Sequence, residues 1–477
     1  MLQTLMPRKI VRAKNFTNAQ NLKVKKPVQP VLRGDKEWKN QNTIFNGTGY
    51  IILDFGKEMN GGIRIVTGEI DKKNITVRIR FGESVSETCA ELNEKGACND
   101  HGVRDMIVNL SFYSNAKFGD TGFRFVRIDF LDDVKGVIQN VFCENNILVK
   151  KTVYRYNGSD KLIRNIFDTA KRTVDLCAAG EYVWDGVKRD RLVWIGDMHP
   201  EMLALTTLYG RLDRIENSLK FVRDATSDNL WMNGIPAYSM WWVICVADYY
   251  RITGAKDFIQ ENLCKIEKLI QRFDEFVDDD GNFKFDYLFV DWPCQASEDR
   301  EAGVRAINIF AANLALSVLK EFDKDLSVCE RLIAKLKKKP IIVKEMKQVI
   351  ALKYFALGEI SDQEYQKLIV GGAKGVSAFM SYYILKAIAS KDVALAIDVM
   401  KEYYGAMLDI GATTFFEDFN MEWLKNASRI DKMPKKGQDD MHGDRGDYCY
   451  KGFRHSFCHG WSSGIIKFIQ EYKDYLA

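Results

Sequence analysis

Acidic, basic and aromatic residues crowd one short stretch of the chain, residues 184–197. It reads Trp-Asp-Gly-Val-Lys-Arg-Asp-Arg-Leu-Val-Trp-Ile-Gly-Asp. Cleavage of a glycosidic bond needs one carboxylic acid that protonates the leaving oxygen and, for inversion, a second carboxylate that activates water. This stretch can supply the first group. A helix cap with surface ion pairs, each worth about 0–1 kcal/mol, has a similar composition, so both interpretations stay open.

A second acidic segment lies near the end of the chain, where residues 411–419 read Gly-Ala-Thr-Thr-Phe-Phe-Glu-Asp-Phe. Small residues lead into aromatic ones that bracket Glu417. Apolar surroundings shift the pKa values of carboxyl groups and so suit them to acid–base catalysis. Glu417 is therefore predicted to be the partner carboxylate. The alternative is a buried glutamate paired with an arginine.

Both segments, in this order, resemble motifs of the α-L-rhamnosidases of glycoside hydrolase family 78. The family's first motif reads approximately Asp-Cys-Pro-x-Arg-Glu-Arg-x-x-Trp-x-Gly-Asp, and this chain has Asp185, Arg189, Asp190, Arg191, Trp194, Gly196 and Asp197 at the same spacing. The second segment resembles the family's Gly-Ala-Thr-Thr-x-Trp-Glu, with Phe416 in place of the tryptophan. Residues 456–461, Ser-Phe-Cys-His-Gly-Trp, are similar to its last active-site histidine segment.

The resemblance implies a role for each matched residue. It makes Asp190 the general acid and Glu417 the general base of an inverting hydrolase that releases terminal α-L-rhamnose. Residues 291–293 are similar to an Asp-Trp loop of the family, and aromatic faces commonly stack on the apolar face of a sugar. The residues implied to bind the sugar are Asp185, Arg189, Trp194, Asp197, Asp291, Trp292 and His459.

Several of these residues could instead have purely structural roles. Asp291 also suits a purely structural loop, and His459 suits a cap on the last helix. Trp241 and Trp242 lie within a predicted helix and are expected in the core. Three further histidines are expected to be structural or to lie at the rim of the site: His199, His442 and His455.

The acid position departs from the family pattern, which usually has glutamate there. Asp190 is one methylene shorter, a difference of about 1.5 Å in reach, and a misplacement of about 1 Å can cost about 10²-fold in rate. Either the backbone compensates or the substrate differs. Two alternatives follow, namely a related α-barrel glycosidase for another deoxy or uronic sugar, and a sugar-binding protein with impaired catalysis.

Strand-forming residues dominate the segment before these motifs, at 50–55, 62–66, 75–81 and 123–130. Turns are predicted between them at 60–62 and 120–122, and no helical pattern intervenes. The segment 45–150 is therefore predicted to be an antiparallel β-sandwich domain. Residues 1–44, rich in Lys, Asn and Gln, are predicted to form an N-terminal arm.

The period changes after residue 158, where Leu162, Ile166, Ala170 and Val174 recur at helical spacing. At about 25 residues for a helix and its connection, 151–477 has room for about twelve helices, enough for an (α/α)6 barrel of six hairpins. A plain helical bundle or a solenoid accommodates the same number. The resemblance favours the barrel, extends to residues 53–63 and 80–84 of the β domain, and implies a minimal two-domain form of the family.

The composition of the chain limits the classes of molecule that it is expected to bind. A net charge of +4 on 477 residues without a basic stripe argues against nucleic acid, and the apolar runs are too short for the roughly 18 residues of a membrane span. A secretory signal is not apparent, and ten cysteines stand singly, so a reducing cytoplasmic location is expected. Metal-ligand spacing is lacking as well. The expected partner is a small carbohydrate, without cofactor or metal, and a homo-oligomer remains open.

Overall fold

The structure is a computed structural model that describes residues 2–448 and 450–476. Its N-terminal domain contains seven strands: β1 (Leu2–Leu5), β2 (Lys9–Thr17), β3 (Thr43–Ile70), β4 (Asn74–Gly82), β5 (Asp105–Ser111), β6 (Asn115–Phe130) and β7 (Lys135–Asn146). They form one sheet in the order β1-β7-β3-β6-β4-β5, with β2 paired to β3. All pairs are antiparallel. The prediction of an antiparallel β domain is confirmed.

The strands are joined by hydrogen bonds into one sheet, whereas a sandwich predicts two separate sheets. The turns predicted at 60–62 and 120–122 are wrong, because these residues lie inside the 28-residue strand β3 and the 16-residue strand β6. Glycine serves close strand packing there, since a Cβ on Gly61 would lie 2.1 Å from the carbonyl oxygen of Glu144. β3 is thus one long strand that pairs with β6 on one side and β7 on the other, with register shifts along its length.

The prediction of an N-terminal arm is also wrong for residues 2–17. β1 pairs with β7, and β2 pairs with the first half of β3. Leu5, Ile10 and Phe16 pack against the apolar core of the sheet, which explains why this polar-looking segment is held in place. The β domain therefore begins near the first described residue.

Fourteen α-helices are found in the described residues. Two short ones belong to the β domain, α1 (Lys36–Asn40) and α2 (Val85–Cys89). The other twelve are α3 (Lys161–Cys177), α4 (Met198–Tyr209), α5 (Asp213–Ala225), α6 (Pro236–Thr253), α7 (Lys256–Glu275), α8 (Arg300–Glu321), α9 (Ser327–Lys337), α10 (Lys347–Leu357), α11 (Asp362–Ile369), α12 (Ser381–Ala389), α13 (Val393–Asp409) and α14 (Ile465–Glu471).

Every second helix belongs to an inner ring. α4, α6, α8, α10, α12 and α14 each pack against the next, and α14 packs against α4. Inner helices such as α6 are buried on nearly all sides, whereas outer helices such as α7 bury one face and expose the other. One cavity of about 550 Å³ has lining residues from all six inner helices, among them His199, Asp248, Phe310, Tyr354, Lys386 and Lys467.

Helix α8 has the length and apolar composition of a membrane span. However, 72% of its most apolar window is buried inside the protein, and a core helix of a globular protein has the same properties. Its place in the inner ring accounts for this composition.

Candidate active site

The predicted site residues all lie on loops that lead into an inner helix. Residues 185–197 precede α4, residues 291 and 292 precede α8, and residues 417 and 459 precede α14. They therefore gather at the end of the ring where the inner helices begin. Long loops on a rigid scaffold are the usual carriers of catalytic groups.

Backbone hydrogen bonds tie the loops together. Gly186 and His459 form an isolated antiparallel bridge. The N–H of Gly460 donates to the carbonyl oxygen of Asp185 at 2.7 Å, and the N–H of Glu417 donates to the carbonyl oxygen of Ser456 at 3.0 Å. The segments around Asp185, Glu417 and His459, which are far apart in the sequence, thus form one structural unit.

Arg189 connects the two predicted catalytic carboxyl groups. Its Nη1 donates to Oδ2 of Asp190 at 2.8 Å, and its Nη2 donates to Oε2 of Glu417. Its Nε donates to the carbonyl oxygen of Arg454 at 2.7 Å, and its guanidinium lies 3.6 Å from the ring centre of Tyr450. The alternative for Glu417, a buried glutamate paired with arginine, describes its surroundings correctly. The same arginine, however, also holds the second carboxyl group.

Asp190 occupies an unusual backbone conformation. Its φ is +54° and that of Arg191 is +56°, both in the left-handed region. Aspartate enters this region more readily than most residues because its short polar side chain can hydrogen-bond locally. The turn thus gives a physical reason for the shorter acid at this position. The Asp190 carboxyl also contacts the β domain, since its Oδ1 lies 2.6 Å from Nδ1 of His101.

His459 lies between three carboxyl groups. Its Nε2 is 3.7 Å from Oδ2 of Asp185, 3.9 Å from Oδ2 of Asp197 and 4.0 Å from Oε1 of Glu417. Burial lowers the pKa of His459 to about 4, against the opposing effect of Glu417. The imidazole is therefore neutral near pH 7. Its side chain makes no helix-cap hydrogen bond, which contradicts the capping alternative.

Asp185 and Asp197 are both buried. Burial raises the pKa of each carboxyl well above its ordinary value, and neighbouring carboxyl groups raise it further. Oδ1 of Asp185 accepts a hydrogen bond from the N–H of Leu192 at 2.9 Å. Buried carboxyl groups of this kind gain from hydrogen bonds donated by the hydroxyl groups of a ligand.

Asp291 belongs to the loop before α8, and its side chain is buried. Its Oδ2 accepts a hydrogen bond from Oγ of Ser377 at 2.5 Å, and its Oδ1 accepts one from the N–H of Trp292 at 2.8 Å. Burial raises the pKa of Asp291 to about 6. Burial also raises the pKa of Asp418 to about 7, with further contributions from Asp291 and Glu417. Ser377 and Asp418 both line a cavity of about 330 Å³.

The two predicted sugar-stacking tryptophans belong to one aromatic row. Trp194 meets Tyr238 edge-on at 6.0 Å, Tyr238 meets Phe289 at 5.8 Å, and Phe289 meets Trp292 at 5.3 Å. The hydroxyl of Tyr238 reaches Oδ1 of Asp197 at 3.5 Å. The row therefore runs from the acidic cluster around His459 to the Asp291 loop, and both tryptophans remain half-buried.

A buried ion cluster lies where the β domain meets these loops. Glu83, Glu87 and His442 bring ligand-type atoms within 4.8 Å of one another, as in a metal site. The ammonium of Lys188 is among them, 3.2 Å from Oε2 of Glu83 and 3.0 Å from Oε1 of Glu87. Its Nζ also donates to the carbonyl oxygens of Phe453 and His455, each at 2.6 Å. A lysine thus supplies the positive charge of this cluster.

A sequence model of one protein family matches residues 151–320, and its description is the bacterial α-L-rhamnosidase six-hairpin glycosidase domain. These residues are similar to that family's catalytic domain. The matched range holds the first motif and the Asp-Trp loop, and the helical domain is therefore a glycoside hydrolase domain. No curated protein sequence matches the chain.

Solved rhamnosidase structures share the fold of the whole chain. A rhamnosidase from Klebsiella oxytoca with rhamnose bound superposes with a TM-score of 0.77 at 17% identity, covering 99% of this chain and 96% of that one. Family 78 rhamnosidase from Bacillus sp. GL1 gives 0.68 at 15% identity, with 94% and 48% covered. The α-L-rhamnosidase from Dictyoglumus thermophilum gives 0.66 at 15%, with 98% and 51% covered. The chain thus spans about half the length of the latter two.

The structure brings together both predicted catalytic residues and most predicted binding residues in one cluster. His442 and His455, each expected to be structural or to lie at the rim, are both buried; His442 lies in the Lys188 cluster, and His455 accepts a hydrogen bond from the N–H of Asp418 at 2.9 Å. His199 is buried between Tyr383 and Asp248, away from the catalytic loops.

Several contributors to the candidate site were not singled out in the sequence. Lys188 and Asp418 each adjoin a predicted residue, so their position beside a motif was a usable signal. Glu83 stands at the end of β4 in the segment 80–84 that resembles the family. His101 had no signal besides the scarcity of histidine, of which the chain has five.

Proposed function

We propose that the chain is an inverting glycoside hydrolase that releases terminal α-L-rhamnose from small glycosides or oligosaccharides. One observation carries the proposal: a single guanidinium, that of Arg189, contacts the carboxyl groups of both Asp190 and Glu417. The buried carboxyl groups of Asp185 and Asp197 lie close by. The family match of residues 151–320 supports rhamnose as the sugar.

In the proposed reaction, Asp190 donates its proton to the glycosidic oxygen while the bond to the anomeric carbon breaks and its electron pair stays on oxygen. Glu417 takes a proton from a water molecule that attacks the anomeric carbon from the opposite face, so the configuration inverts. Arg189 keeps the two carboxyl groups in a defined relation. Asp185 and Asp197 accept hydrogen bonds from the sugar hydroxyls.

We also propose that the twelve helices α3–α14 close into an (α/α)6 barrel. The cyclic packing of the six inner helices and their shared cavity support closure over an open bundle or solenoid. A closed ring brings the loops before α4 and α14 next to each other. This proximity is what the site needs, because its acid and its base come from those two loops.

Stereochemistry is the direct test. Proton NMR of the first product from 4-nitrophenyl α-L-rhamnoside is expected to show β-rhamnose before mutarotation, whereas initial α-rhamnose would contradict inversion. Asp190→Asn is expected to lose activity toward poor leaving groups. Asp120→Asn is a matched control, since Asp120 is exposed and contacts only the neighbouring Arg191 among the ion pairs of the described residues.

A panel of nitrophenyl glycosides separates the alternatives that the short acid Asp190 suggests. Preferential turnover of another deoxy or uronic sugar would favour a related glycosidase. Binding of rhamnose in a calorimeter without turnover of any glycoside would favour a sugar-binding protein. Fast hydrolysis of the rhamnoside alone supports the proposal.

We propose a cytoplasmic location, where imported glycosides of small size would be the substrates. The nine cysteines within the described residues are free thiols, as expected in a reducing compartment. Cell fractionation tests the location. Analytical ultracentrifugation tests whether the chain forms a homo-oligomer.

A further inference from the structure

One histidine of the β domain reaches the carboxyl group proposed as the acid. His101 lies between α2 and β5, and its Nδ1 is 2.6 Å from Oδ1 of Asp190. The same Nδ1 is 3.0 Å from the backbone nitrogen of Asp190, whose N–H donates to it. The ring is 44% exposed on its side chain, so it connects a mostly buried carboxyl group to solvent.

The loop that carries His101 is held on both sides. The Asn99 side chain accepts hydrogen bonds from the N–H groups of Arg104 and Asp105 at 3.1 and 3.0 Å. Asp100 pairs with Arg454 at 2.6 Å. A Cβ on Gly102 would lie 2.7 Å from the carbonyl oxygen of Lys188, so this loop packs directly on the catalytic loop.

The backbone has left-handed φ values on both sides of the contact between His101 and Asp190. His101 has a φ of +58°, and its partner Asp190 and the following Arg191 have φ values of +54° and +56°. Such conformations are uncommon for residues other than glycine and persist where the surrounding structure enforces them, often at functional sites. Here they turn the imidazole and the carboxyl group toward each other across the domain boundary.

The two contacts of Nδ1 limit which atoms of His101 and Asp190 can carry a proton. Nδ1 can accept the N–H of Asp190 only when it is unprotonated, with the ring proton on Nε2. Nδ1 has a single lone pair, so a protonated Oδ1 at 2.6 Å would share it with this N–H, whereas an ionised carboxylate oxygen would be repelled by it. If the proton moves to the imidazole, Nδ1–H donates to Oδ1 instead, and the backbone N–H loses this acceptor.

These two arrangements are the states before and after a proton transfer. The charged groups that surround the pair are Asp100 with its partner Arg454 on the solvent side, and Arg189 on Oδ2 of Asp190. We propose that His101 is the proton-transfer partner of Asp190, so that the β domain supplies one residue of the active site.

Each turnover returns Asp190 and His101 to their starting protonation states. This cycle rests on the proposed function of Asp190 as the acid. Asp190 gives its proton to the leaving oxygen and becomes a carboxylate beside His101 and Arg189. His101, which keeps its Nε2 proton, takes a further proton from solvent at Nδ1 and passes this proton to Oδ1 of Asp190, which returns the imidazole to its neutral form. Glu417 releases to solvent the proton that it took from the attacking water, so no proton is gained or lost.

The test compares rhamnosides with different leaving groups. His101→Ala is expected to lower kcat/KM for phenyl α-L-rhamnoside by about 10- to 100-fold, because a general acid contributes about 10²–10⁴-fold and part of that remains with Asp190. Loss for 2,4-dinitrophenyl rhamnoside, which leaves without protonation, is expected to be below about 3-fold. Imidazole added to His101→Ala is expected to restore part of the phenyl rhamnoside activity.

Controls separate this proposal from the proposed function. Val103→Ala alters an exposed residue of the same loop without changing a charge near the pair, and any loss is expected to be equal for both substrates. An equal loss or no loss for His101→Ala, without imidazole rescue, overturns the role of His101 when Asp190→Asn still shows the leaving-group dependence. If Asp190→Asn lacks that dependence in an active enzyme, or if the wild type hydrolyses no rhamnoside, the proposed acid fails and His101 fails with it.

Discussion

Removal of one hydroxyl group, in Ser377→Ala, is expected to move the pH dependence of catalysis. Asp291 is buried, and burial raises its pKa to about 6 while hydrogen bonds from Ser377 and from the N–H of Trp292 oppose that rise. The variant leaves Asp291 with one donor fewer. Its carboxylate is then less stable, whereas its neutral acid is little affected.

The size of the effect follows from the energy of the lost bond. A hydrogen bond to a charged group contributes about 1.5–3 kcal/mol, and 1.36 kcal/mol corresponds to one pKa unit. The pKa of Asp291 is therefore expected to rise from about 6 to about 7–8. At pH 6.5 the ionised fraction falls from about three quarters to about one tenth. An ionised Asp291 that binds the sugar would then make kcat/KM about 8-fold lower at this pH.

The assay is kcat/KM on 4-nitrophenyl rhamnoside between pH 5 and 9. The acid limb is expected to shift upward in Ser377→Ala, and the variant and wild type are expected to converge near pH 9. Ser381→Ala is the matched control, because Ser381 is equally buried but bonds to Ala378 and Tyr404. An unchanged profile, or a loss of equal size at every pH, would refute the reasoning that this hydroxyl sets the charge of Asp291.

Three further outcomes are expected. Glu417→Gln should lower kcat by about 10²–10⁴-fold with rhamnose binding retained in calorimetry, and loss of binding instead would assign it a binding role. Burial raises the pKa of Asp418 to about 7, so the folded state keeps this proton between the unfolded value of 3.8 and about 7, and stability falls as pH rises through that window. Asp418→Asn should therefore reduce the drop in unfolding free energy between pH 5 and 8, measured in urea, by up to about 3 kcal/mol, and an unchanged drop contradicts it. Lys188→Met should cost about 3–5 kcal/mol of unfolding free energy by leaving Glu83 and Glu87 unpaired, and a cost below about 1 kcal/mol would show that the cluster is not held by this cation.

Local periodicity predicted most of the regular structure. In β4 the apolar residues Ile75, Val77, Ile79 and Phe81 occupy every second position and are all buried, as the sequence pattern indicates. The helical stripe through Ile166, Ala170 and Val174 likewise became the buried face of α3. Both patterns are readable because their period depends only on residues close in the chain.

Elements that depend on distant partners were missed. β2 carries mostly exposed side chains and looks like an arm, yet it is held because it pairs with β3. The glycines at 61 and 62 look like a turn and instead permit close contact between strands. In both cases the deciding neighbour lies tens of residues away, where periodicity carries no information.

The sequence alone determined which groups could do chemistry. The first motif, Glu417 and His459 are recognisable as types and spacings within short segments, and their order matches a rhamnosidase. Such motifs survive as local patterns because each loop must present its own side chains. They did not reveal which groups touch.

Tertiary structure decided the contacts. It brought Arg189 to Glu417, 228 residues further along the chain, and His101 to Asp190 across 89 residues and a domain boundary. It also put the ammonium of Lys188 among the acids of the β domain. These pairings arise only when the inner ring and the sheet pack together, because packing brings into contact residues that no local pattern relates.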